Sequence, residues 1–93
     1  MIRRDQMVRP HPQVVDTELG EGKTALLHLD DKIYFSLNAT GTKIWRELKE
    51  GKSLEEISRS LQAEYDVDAA QAEQSVLELV NELLQQKLVQ VAD

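Results

Sequence analysis

The sequence predicts an α+β domain: a three-stranded antiparallel sheet followed by three helices. Three observations carry that reading. Ile33, Phe35 and Leu37 alternate with Tyr34 and Ser36, the period of a half-buried strand. At Asn38 the alternation stops, and Ile44, Trp45 and Leu48 then recur at helical spacing. Ser53 with Glu56, and Asp68 with Gln71, each have the spacing of a capping box and mark two more helix starts.

Taken in order, Met1–Pro12 holds three arginines and two prolines without usable periodicity. It reads as an N-terminal arm over residues 1–12, either solvated or meeting an acidic partner through its arginines. The folded domain is expected over residues 13–91. Val14, Val15, Thr17 and Leu19 suggest a first strand, and Gly20-Glu21-Gly22 a turn. Lys23–Leu29 alternates again, with Ala25, Leu27 and Leu29 on one face and Leu26 and His28 on the other. His28 is read as facing solvent. Asp30-Asp31 makes the next turn, and the third strand follows at once. Short strands joined by tight turns imply a meander, which needs cover on one face.

The helices supply that cover. The first is predicted over Ala39–Lys49, with Gly51 as its stop. The second starts at Leu54, buries Leu54, Ile57, Ser58 and Leu61, and ends at Tyr65. The third runs from Ala69 to about Gln86, with Val76, Val80, Leu83 and Leu84 as its core stripe and Leu77 and Leu79 flanking it. Lys87–Val91 closes the chain as a short extended segment.

Ninety-three residues suffice for one small core, and the absence of cysteine excludes disulfides and thiolate metal sites. No long apolar run and no charged-then-apolar leader at Met1 are found, so a soluble cytoplasmic protein without membrane contact is expected. Seventeen acidic against eleven basic residues give a formal charge of −6, which disfavours a phosphate backbone as partner.

Chemistry is sparse. His11 and His28 are the only imidazoles and share no helical face with further ligands, so neither a metal site nor a catalytic base is expected. The serines lack a G-x-S-x-G setting, and Gly20, Gly22, Gly41 and Gly51 match no phosphate-binding loop. No enzyme activity and no cofactor follow from these residues.

Two architectural readings remain. Sheet and helices together suggest a winged helix-turn-helix, but the third helix begins Ala69-Ala70-Gln71-Ala72-Glu73-Gln74 and carries Glu78 and Glu82, poor chemistry for reading DNA. The other reading is a peptide-binding module. The third strand has an edge with no partner strand in the meander, guarded only by Lys32. An extended peptide could add there, with Ser75, Leu79 and Glu82 of the third helix as a wall. The alternatives are that the N-terminal arm or a twin subunit covers this edge, the latter as a purely structural dimer.

Tyr34-Phe35-Ser36-Leu37-Asn38-Ala39-Thr40-Gly41 followed by Ile44-Trp45 resembles the Y-x-x-L-N-x-x-G-x-x-I-W signature of PqqD-like proteins. His11-Pro12 with Val14-Val15, Gly51-Lys52-Ser53 with Glu56-Ile57, and Tyr65-Asp66-Val67-Asp68 are similar too. These are recognition domains for precursor peptides of ribosomally made, post-translationally modified peptides. Leu27–Trp45 is most similar to stand-alone versions from lasso peptide pathways. PqqD itself, a chaperone-type partner of a radical enzyme, is more distant.

The resemblance implies a leader segment added to the third strand and lying against the third helix, with tyrosine and proline side chains in apolar pockets. It also implies a separate leader peptidase of the cysteine protease type. Carried over residue by residue, Lys32, Ile33, Tyr34, Phe35, Ser36 and Leu37 supply the docking edge. Ser75, Val76, Leu79, Val80, Glu82 and Leu83 are the helix candidates. Whether Tyr34 and Ser36 or Ile33 and Phe35 line the pockets stays open. Asn38, Gly41 and Trp45 are assigned to cap, close packing and core.

Overall fold

In the computed structural model, residues 6–92 are described. The elements are β1 (Met7–Pro10), β2 (Val14–Gly20), β3 (Lys23–His28), β4 (Ile33–Leu37), α1 (Ala39–Lys49), α2 (Leu54–Tyr65), α3 (Ala69–Gln85) and β5 (Val89–Ala92). The three strands expected from the sequence are β2, β3 and β4, an antiparallel meander in that order, and three helices follow.

Local chemistry sets the helix boundaries. Asn38 Oδ1 accepts from the Gly41 N–H at 2.8 Å and opens α1. Ser53 and Glu56 close a complete capping box at the start of α2. At α3, Asp68 Oδ1 accepts from the Gln71 N–H at 2.7 Å. Past the end of α1, Gly51 takes φ +86°, the left-handed backbone a glycine adopts at little cost.

One face of the meander packs on the helices. Leu26 and Leu37 from the sheet meet Ile44, Trp45 and Leu48 of α1, Leu54, Ile57 and Leu61 of α2, and Val76, Val80 and Leu83 of α3. Trp45 is 2 % exposed, and its Nε1 donates to Asp16 Oδ2 at 2.7 Å, tying α1 to β2. Lys49 Nζ donates to the same oxygen at 2.7 Å. These two donors, Lys49 first, hold the Asp16 carboxyl below the usual carboxylate range.

Three expectations change. Met7–Pro10 is extended, as an arm would be, but it pairs antiparallel with β5 and buries Val8. The rest of that arm, Met1–Asp5 with Arg3 and Arg4, lies outside the described residues. His28 does not face solvent. It is 3 % exposed, on the helix-facing side of β3 with Thr24 and Leu26. Its Nδ1 accepts from the Asp31 N–H at 3.2 Å, and its ring lies 4.7 Å from that of His11. A satisfied imidazole at the end of a sheet can be buried where an unpaired one cannot. Finally, Lys32 belongs to the β3–β4 turn. Its φ is +59°, and its N–H donates to the His28 carbonyl at 2.8 Å, so the edge strand begins at Ile33.

Candidate peptide-docking edge and recess

β4 is an edge strand. Among the described residues its ladder partner is β3, through pairs from His28↔Ile33 to Thr24↔Leu37. Its other side therefore presents backbone donors and acceptors along its length. No proline or charged residue interrupts Ile33–Leu37. Burial alternates along it: Tyr34 is 71 % exposed and Ser36 exposed, while Ile33 and Phe35 are half-buried and Leu37 buried. Phe35 packs against the core. The Ile33–Phe35 face is thus the helix side, and Tyr34 and Ser36 point to the outer face.

An open recess begins where β4 ends. Asn38, Thr40, Gly41 and Ile44 form one side of it, and Ser75, Glu78, Leu79 and Glu82 of α3 the other. Gly41 and Ile44 are buried and make its floor, with half-buried Ser75 and Leu79 beside them. The α3 residues recur at helical spacing and so share one stripe. Glu78 and Glu82 are exposed at the rim, and Glu78 Oε1 accepts from Gln74 Nε2 at 2.9 Å. No basic side chain lines this recess, so it favours neutral or cationic groups over acidic ones.

The sequence-derived residues therefore divide. Ile33, Tyr34, Phe35, Ser36 and Leu37 form the edge strand, with Leu37 turned into the core. Ser75, Leu79 and Glu82 line the recess. Val76, Val80 and Leu83 are fully buried and offer a ligand no surface, because they occupy the neighbouring core stripe of α3. Reasoning from sequence missed Thr40, Ile44 and Glu78, and took Asn38 and Gly41 for structural residues only. Glu78 completes the Ser75–Leu79–Glu82 stripe and was within reach of helical spacing. The approach of α1 to α3 leaves no local signal.

Elsewhere the buried polar side chains are mostly matched internally, Thr42 Oγ1 on α1 being a buried atom without a hydrogen-bond partner. Buried Glu47 accepts from Lys52 Nζ at 3.2 Å and from Ser60 Oγ at 3.0 Å, and pairs with Lys43 Nζ at 3.1 Å, joining α1 to α2. Its hydrogen bonds raise both lysines above the usual lysine range. Among the described residues no group of three or more His, Asp or Glu side chains is placed to hold a metal ion. None of their helices is long and apolar enough to cross a membrane.

The family model described as "Coenzyme PQQ synthesis protein D (PqqD)" matches residues 23–89, from the start of β3 to the start of β5. The chain belongs to the PqqD family. Solved structures similar to this PqqD-family chain include "TbiB1 in Complex with the TbiA(beta) Leader Peptide", at 34 % identity and a TM-score of 0.82 over 87 % of this chain and 93 % of that one. Another is "Lasso peptide synthetase B1 complexed with the leader peptide", at 27 % identity and a TM-score of 0.81 over 88 % and 95 %. The comparison with curated proteins gives no match.

Proposed function

We propose that this PqqD-family domain binds the leader segment of a ribosomally synthesised precursor peptide, of the lasso type, by adding it as a strand to the free edge of β4. The domain performs no catalysis. It acts in the cytoplasm and presents the precursor to a separate leader peptidase of the cysteine protease type, or to another modifying enzyme. The observation that carries this reading is a β4 edge that no strand covers among the described residues, running into an open recess, in a chain 34 % identical to TbiB1. Backbone hydrogen bonds to β4 supply sequence-independent affinity, and side chains reaching the recess supply selection.

The winged-helix alternative finds less support, since Gln74, Glu78 and Glu82 lie on the exposed side of α3 and two of them repel phosphate.

Titration with labelled TbiA(beta) leader peptide, followed by amide hydrogen exchange, tests the proposal. Binding is expected to slow exchange at residues 33–37, and Leu79→Asp and Phe35→Asp are expected to weaken it at least about tenfold. Circular dichroism on both variants separates lost contacts from lost folding. Unchanged affinity in both would remove the edge and recess from consideration. Duplex DNA binding with a steep salt dependence would instead favour the regulator. Sedimentation reads the third case, a homodimer that occupies β4 itself.

A further inference from the structure

A strand laid against β4 sends alternate side chains to opposite faces of the sheet. One set falls on the helix side with Phe35. The other falls on the outer face, and there the register builds a row. Val15 pairs with Leu27 and Leu27 with Tyr34, so the three side chains stand next to one another across the sheet. Val15 is 44 % exposed, Leu27 half-buried and Tyr34 71 % exposed. The adjacent outward row is Thr17, Ala25 and Ser36, small and partly hydroxylated. The apolar row stops at Tyr34 only because β4 is the edge.

We infer that Tyr34 is a specificity-determining contact on the outer face. The peptide that adds to β4 carries a bulky apolar or aromatic residue directly opposite Tyr34, and a small or polar one two positions away, opposite Ser36. This rests on strand addition and names the class of peptide that such addition selects. Packing favours it on two grounds. An aromatic ring at a directly opposed position gains both buried area and an edge or offset contact with the Tyr34 ring. A fourth strand also extends the Val15–Leu27–Tyr34 row and covers the most exposed large apolar side chain among the described residues. Opposite Ser36 no comparable surface exists, so bulk gains little there.

The test uses the full chain and a random twelve-residue peptide library displayed on phage. Selected peptides are expected to show one bulky apolar residue whose replacement by serine weakens binding about three- to tenfold. Tyr34→Ala is expected to weaken binding by the same factor, and the two changes together by little more than either alone. Tyr34 is exposed, so the variant keeps its fold, and Tyr65→Ala on α2 serves as the unaffected control. Peptides that protect the amides of residues 33–37 yet bind Tyr34→Ala unchanged would overturn this inference and leave strand addition standing. Peptides that leave those amides unprotected, or a library that yields none, would overturn strand addition and the inference with it.

Discussion

Gly41 stands where the last residue of β4 meets the first turn of α1. A Cβ there would lie 3.2 Å from Leu37 Cδ2 and 3.3 Å from the capping Asn38 Oδ1. Leu37 is buried and Asn38 is bonded to this same residue, so neither yields easily. Gly41→Ala is therefore expected to cost about 1 kcal/mol in urea unfolding, even though alanine gains about that much in helix propensity. Asp16 is the second informative residue. Removing it with Asp16→Ala leaves the buried Trp45 Nε1 without its acceptor, an expected loss of about 1–2 kcal/mol. Because the folded-state pKa of Asp16 is lowered, its contribution is present at neutral pH and is lost as pH falls through the carboxylate range. Glu56, lowered first by the Ser53 backbone N–H, acts in the same direction. Thermal unfolding from pH 7 down to about 3 should show this acid sensitivity reduced in Asp16→Asn, with about 4 as the ordinary carboxylate midpoint.

At the scale of elements, the helices depend on caps that are local in sequence, and they were legible for that reason. Asn38, Ser53 and Asp68 each bond a backbone N–H three residues on. Ser53→Ala and Asp68→Ala are each expected to cost about 1 kcal/mol, read by denaturant melts. Alternation gave β2, β3 and β4 equally well, and with them the free edge. It could not say which face of β3 meets the helices, since Leu27 and Leu26 are equally apolar. Burial of His28 followed from a turn N–H and a neighbouring ring, neither visible in a strand pattern. Nor could helical spacing separate the recess stripe of α3 from its core stripe, which lie side by side on one helix. Half of the recess comes from α1 and its cap Asn38, and only tertiary packing brings it there.

At the scale of the molecule, the β1–β5 pair closes the fold. Val8 on β1, Val89 at the start of β5 and Leu88 just before it are all buried there. Pro10 and the shortness of β1 hid it from the sequence, because its partner lies at the far end of the chain. Val8→Ala is expected to cost about 2 kcal/mol in chemical unfolding, by loss of buried methyl groups. The pairing Met7↔Ala92 also sets the first residue of β1 against the last of β5, as if a hairpin had been cut at its tip. The fold is thus almost a ring. A circular permutant that joins residue 92 to residue 7 by a short loop, and opens instead at Glu21 between β2 and β3, should keep its architecture and its β4 edge.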